Sequence, residues 1–197
     1  MTARNFLRGV AFLLPALLAA ADERPVVDDS QEKKTAPAAG VTTLWIAGDS
    51  TVRNSQGEMR GWGQEIGAHL DPRRIQVMNR AIGGRSSRTF FTEGRWQEML
   101  GGMKAGDIVL VQFGHNDVGP LDERGKFRGS VKGIGDESEE VRLPDGTVET
   151  VRSYGWYLKY YARSAREKGV TVVLCSPVPH KKFAGDWEPW RAWVKAC

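Results

Sequence analysis

Two cysteines in 197 residues are too few for a disulfide framework, and with only three histidines beside them no metal-ligand spacing can be assembled. Cys175 closes the apolar run Val170-Thr171-Val172-Val173-Leu174 and is expected as a small core residue. Cys197 is the final residue and is expected to be frayed. No block of lysine and arginine stands out, which leaves nucleic-acid binding without support. No internal repeat is visible, and no apolar run is long enough to span a bilayer comfortably.

The N-terminus has the features of a secretory leader. Arg4 and Arg8 form a positive start, Val10 to Leu18 an apolar centre, and Ala19-Ala20-Ala21 a cleavage site. Residues 1–21 are therefore expected to be removed on export to the periplasm or the extracellular space, with no membrane anchor in the mature form. Net charge is +4 for the whole sequence; removal of residues 1–21 takes away Arg4 and Arg8 and no acid, leaving +2. Residues 22–40 are charged, contain Ala and Pro, and lack periodicity, as a flexible linker does. Residues 41–197 are the expected folded domain.

Within it, strand and helix patterns alternate. Strands are expected at 43–47, 75–79, 107–113 and 170–175, with a helix starting near 61–70. Another helix is expected near 92–103, capped by Thr92 with Glu93 in its first turn. Tyr154, Tyr157, Leu158, Tyr161, Ala162 and Ala165 fall on one helical face that ends in basic residues and Gly169. Such alternation predicts an α/β fold with a parallel sheet covered on both faces. In the insertion spanning 117–152, Pro144-Asp145-Gly146 between two strand-like runs predicts a β-hairpin along one rim of the sheet edge.

The chemistry gathers at three places, each just after an apolar strand. Gly48-Asp49-Ser50 follows Leu44-Trp45-Ile46-Ala47; Gly83-Gly84-Arg85-Ser86 follows the second strand; Gly114-His115-Asn116-Asp117 follows the third. Taken singly, each is a commonplace turn. Together they deliver a serine and two hydrogen-bond donors to the carboxyl edge of a parallel sheet, where α/β folds bind and react. Serine needs a base to take its proton and donors to hold the developing oxyanion. Ser50 is the candidate nucleophile, with its own N–H, the Gly84 N–H and the Asn116 amide as candidate donors. Arg53, Arg85 and Arg88 lie near these residues in sequence and would suit an acidic polysaccharide.

At these residues the chain resembles the SGNH, or GDSL-like, hydrolases, and within them the rhamnogalacturonan acetylesterase-like group. The matching pieces are Ala47-Gly48-Asp49-Ser50-Thr51-Val52, Gly61-Trp62-Gly63, the run from Asn79 to Phe90, Gly94-Arg95-Trp96 and Phe113-Gly114-His115-Asn116-Asp117. Lys132-Gly133-Ile134-Gly135-Asp136-Glu137, Tyr154-Gly155-Trp156-Tyr157-Leu158 and Cys175-Ser176-Pro177-Val178-Pro179 add to it.

The resemblance implies a flavodoxin-like three-layer sandwich. It also implies Ser50 as nucleophile, Gly84 and Asn116 as oxyanion donors, no metal or organic cofactor, and an acetylated polysaccharide or oligosaccharide as substrate. The implied function is removal of O-acetyl groups from a pectic polysaccharide such as rhamnogalacturonan. The family supplies its histidine and acid as Asp-x-x-His, a motif absent from residues 1–197. A C-terminally incomplete domain is therefore expected, with one sheet edge short of cover. The alternative is a glycan-binding remnant or inactive fragment. Among the histidines, His69 is expected on the surface and His115 in a structural role; His180, after the fourth strand, is the remaining candidate base.

Overall fold

The computed structural model describes residues 38–122, 125–179 and 187–197. The leader, most of the linker and His180 lie outside the described residues. The central sheet has four strands, all parallel: β1 (Thr42–Gly48), β2 (Ile75–Asn79), β3 (Ile108–Gln112) and β6 (Thr171–Leu174), in the order β2-β1-β3-β6. The chain therefore moves from β1 outward to β2 and then crosses to β3 on the other side. That reversal opens a crevice above the carboxyl ends of β1 and β3. Gly48 and Gln112 are register partners, so the loops leaving the two strands start side by side.

Alternation along β1 divides the core in two. Leu44 and Ile46 face a smaller cluster with Val52 and Ala81, covered by α1 (Trp62–Glu65) and the 3-10 turn Ile66–His69. Trp45 and Ala47 face the larger cluster, built with α2 (Ser87–Thr92), α3 (Arg95–Gly102), α4 (Tyr154–Glu167) and α5 (Trp187–Ala196). The helices thus cover both faces. The six apolar positions expected on one face of α4 are all buried, and Gly169 ends the following turn at φ +75°.

The helix expected near 92–103 is α3, and a helix not expected, α2, precedes it. Ser86 accepts from the Thr89 N–H at 3.1 Å while the Thr89 hydroxyl accepts from the Ser86 N–H at 2.8 Å, a reciprocal cap that starts α2 at Ser87. Thr92 is accordingly the last residue of α2 and caps nothing; Gly94, left-handed at φ +71°, introduces α3. The insertion does form an antiparallel hairpin, β4 (Ser138–Arg142) with β5 (Val148–Arg152). Both cysteines are free thiols. Cys175 is half-buried rather than fully enclosed, and Cys197 is held by its N–H on the Trp193 and Val194 carbonyls rather than frayed.

Beyond α4, Trp190 is buried against Tyr154 with ring centroids 4.7 Å apart. β6 is the last strand of the described sheet and pairs with β3 alone. Its residues alternate between exposed and half-buried, and Val173 is 42% exposed. The described residues contain no helix long and apolar enough to cross a membrane.

Candidate active site

The turn that carries Ser50, the candidate nucleophile, is built around Val52. The N–H groups of Val52 and Arg53 both bond the Asp49 carbonyl, folding Ser50 and Thr51 into a tight turn directly after β1. A second strand of backbone clamps that turn: Trp62 N–H bonds Thr51 O and Gly63 N–H bonds Val52 O. The approach is so close that a Cβ on Gly61 would lie 2.2 Å from the Val52 carbonyl carbon, and one on Gly48 would lie 2.4 Å from a Val52 methyl. Gly61-Trp62-Gly63 is therefore a packing requirement of the turn that carries Ser50.

The Gly84 segment comes in from β2. Arg80 N–H bonds Ile46 O and Ile82 N–H bonds Gly48 O, so the chain continues alongside β1 past the end of the strand. This places Gly83 against Ser50, since a Cβ built on it would be 3.7 Å from the Ser50 Cβ. Gly84 then turns through φ +79°, a left-handed backbone that suits glycine.

Asn116 arrives from β3. Its side-chain amide donates to the Arg85 carbonyl at 2.8 Å. An Asn amide carries two hydrogens, so this bond orients the group and leaves the second hydrogen for another acceptor. Ser50 thus meets the Gly84 segment through Gly83, and Asn116 meets it through Arg85.

Two buried carboxylates brace the arrangement. Asp49 accepts from the Thr51 N–H and hydroxyl, both at 2.8 Å. Burial raises its pKa, against the pull of the Thr51 donors and of the charge and backbone N–H of His115. Asp117 accepts from the Ser87 N–H at 3.1 Å, the Ser87 hydroxyl at 2.5 Å and the Ser130 hydroxyl at 2.6 Å. Burial pushes it up to about 6, the serine donors hold it back, and the Asp49 charge adds to the rise. Reading by motif offered Ser50, Gly84 and Asn116 as candidates and gave no role to Asp117, Ser87 or Ser130. The available signal was an acidic residue directly after Asn116 at the end of an apolar strand.

The loop after β6 also joins this edge. Gln112 bridges the Trp62 indole N–H at 2.6 Å and the Ser176 carbonyl at 2.8 Å. His115 Nε2 lies 2.9 Å from the Val178 carbonyl. His69 is exposed at the end of its turn.

Two of the three arginines expected to suit an acidic polysaccharide are engaged within the fold. Arg88 is fully buried, with Glu149 bonding its Nε at 2.8 Å and Nη2 at 2.6 Å, and the carbonyls of Leu121 and Gly129 bonding its Nη1. It cannot meet a substrate; instead it ties α2 to the hairpin. Arg85 is largely buried and pairs with Glu93.

Residues 46–197 match the GDSL-like lipase/acylhydrolase family, a span that includes all three site segments. The chain belongs to this family. Within it the chain is similar to proteins named as rhamnogalacturonan acetylesterases. It is 40% identical over 137 residues to a Bacillus subtilis (strain 168) protein named "Probable rhamnogalacturonan acetylesterase YesY", covering 68% of this chain and 53% of that one. It is 37% identical over 147 residues to the rhamnogalacturonan acetylesterase of Emericella nidulans, covering 75% and 57% respectively. The chain thus spans about half the length of the curated relatives it matches. Among solved structures, protein YxiM of Bacillus subtilis shares the fold, with a TM-score of 0.56 at 24% identity over 79% of this chain and 40% of that one. The GDSL-like assignment agrees with the parallel sheet and with the residues at its carboxyl edge.

Proposed function

We propose that this chain carries the nucleophile and oxyanion hole of a serine carbohydrate esterase that removes O-acetyl groups from a pectic polysaccharide such as rhamnogalacturonan. The observation that carries the reading is the convergence of the Ser50, Gly84 and Asn116 segments above β1 and β3. Ser50 Oγ attacks the acetyl carbonyl carbon. The Ser50 and Gly84 N–H groups and the Asn116 amide take the charge that develops on the carbonyl oxygen. The sugar oxygen leaves with a proton, and water then releases acetate from the acyl-serine. The substrate class rests on the likeness to the rhamnogalacturonan acetylesterases.

The proton from Ser50 requires a base. The family resemblance assigns that role to Asp-x-x-His, which residues 1–197 do not contain. That observation favours a second reading, a site that holds acetylated glycan without turning it over. The leader features of residues 1–21 support export, followed by a linker over 22–40 and no membrane anchor in the mature form.

Acetate release from acetylated rhamnogalacturonan and from acetylated xylan, measured side by side with residues 22–197, tests both readings. The expected result is slow release, no more than the roughly 10³–10⁴-fold over water that survives loss of a triad member, and dependent on Ser50. Glycan binding with no release at all supports the second reading. Efficient release that disappears in Ser50→Ala and in His180→Ala makes His180 the base. Release unchanged in Ser50→Ala rules out the esterase site.

A further inference from the structure

We propose that Asp117 is a positioning residue for the oxyanion hole, its buried carboxylate locking the segment after Gly84 against the loop that carries Asn116. The inference rests on the assignment of Ser50, Gly84 and Asn116 above and goes beyond it in naming what sets their spacing.

Consecutive residues grip one short stretch of chain. Asn116 holds it by the Arg85 carbonyl at 2.8 Å, and Asp117 holds it by the Ser87 N–H and hydroxyl. Ser87 is the first residue of α2, so the carboxylate also fixes where that helix begins. From the other side the Tyr161 hydroxyl donates to the Ser87 carbonyl at 2.5 Å, which leaves Ser87 little freedom. Asp117 reaches a third segment through the Ser130 hydroxyl, and its own carbonyl accepts the Ser130 N–H at 3.0 Å. A pivot at Asp117 would therefore change the gap between the Gly84 N–H and the Asn116 amide, and an oxyanion hole tolerates little change in that gap.

Each of these side-chain and backbone partners donates, so the ionised carboxylate, the stronger acceptor, is the form that grips them best. The groups facing Asp117 do little to favour that charge. Asp49 lies on the β1 turn, Tyr154, Tyr157 and Tyr161 lie on α4, and the Arg88 guanidinium on α2 is committed to Glu149. Protonation weakens Asp117 as an acceptor and so loosens its grip on Ser87 and Ser130. Stability responds in the opposite sense. A carboxyl raised above its unfolded value takes up a proton more readily in the native state, so its contribution to stability is full below about pH 4 and is lost as pH rises through about 6. Site geometry and fold stability thus separate on acidification, whereas a residue needed only for folding moves both together.

The test is the rate at which a p-nitrophenyl alkylphosphonate labels Ser50 in the 197-residue chain, followed by peptide mass mapping from pH 4.5 to 8, with melting temperature recorded in parallel. The wild-type chain is expected to lose labelling rate below about pH 6 while its melting temperature does not fall in step. Asp117→Asn is expected to label roughly 10- to 100-fold more slowly and to lack that acid limb. Ser87→Ala and Ser130→Ala, which each remove one hydroxyl donor, are expected to slow labelling several-fold and stand in if Asp117→Asn does not fold. A folded Asp117→Asn with the wild-type rate and acid limb overturns the inference, as do wild-type rates in both serine variants. Failure of the wild-type chain to label at Ser50 at all overturns the underlying assignment, and this inference with it.

Discussion

The side-chain amide of Asn116 donates to the backbone carbonyl of Arg85 across 2.8 Å, tying the loop after β3 to the residue that follows Gly84. The bond orients one amide hydrogen and leaves the other for the proposed oxyanion. Asn116→Ala should slow phosphonate labelling of Ser50 by about 10²-fold, the scale of losing one oxyanion donor. Urea denaturation should show a much smaller effect, about 1 kcal/mol for one hydrogen bond.

Gly84→Ala separates conformation from crowding. No atom lies within 4 Å of a Cβ built there, but φ is +79°. The strain of a left-handed alanine should cost about 1–2 kcal/mol in urea denaturation. Relaxation of that strain turns the N–H away from the site, so labelling should slow as well.

The frame of this site was legible in the sequence because parallel strands put their loops on one edge. Once Leu44-Trp45-Ile46-Ala47 and Ile108-Val109-Leu110-Val111 are read as strands, Ser50 and Asn116 must emerge together. The α4 stripe was equally legible, since six apolar positions at helical spacing admit one buried face. What stayed hidden was tertiary. Nothing local says that Arg88 is buried, because its partner Glu149 lies sixty-one positions away. Helix α2 was missed because the Ser86–Thr89 cap sits inside a run that looks like loop. Asp117 looks like a turn residue until Ser87 and Ser130 are folded onto it.

The Arg88–Glu149 pair should be a stability determinant and not a substrate contact. Arg88 has no exposed side-chain surface, whereas Glu149 retains 18%. Glu149→Ala leaves a buried guanidinium with two carbonyl partners and no counter-charge. It should destabilise the chain by about 3 kcal/mol in urea denaturation. Arg88→Met, which removes the charge together with its need for a partner, should cost less.

The β6 edge should govern self-association. Val173 is 42% exposed on a strand whose outer hydrogen-bonding edge is unpaired within the described sheet. Val173→Lys should lower light scattering at high protein concentration while changing stability by no more than about 0.5 kcal/mol.

The central claim is that Ser50 and the Gly84 and Asn116 donors form one reactive site, and the most direct measurement is the location of covalent labelling. Incubated with a p-nitrophenyl alkylphosphonate and mapped by peptide mass spectrometry, the chain should carry the adduct at Ser50 in preference to every other serine. The label should be slowed in Asn116→Ala and absent from that peptide in Ser50→Ala. Labelling spread over the serines without preference for Ser50, or a Ser50 rate indifferent to Asn116→Ala, would contradict the account.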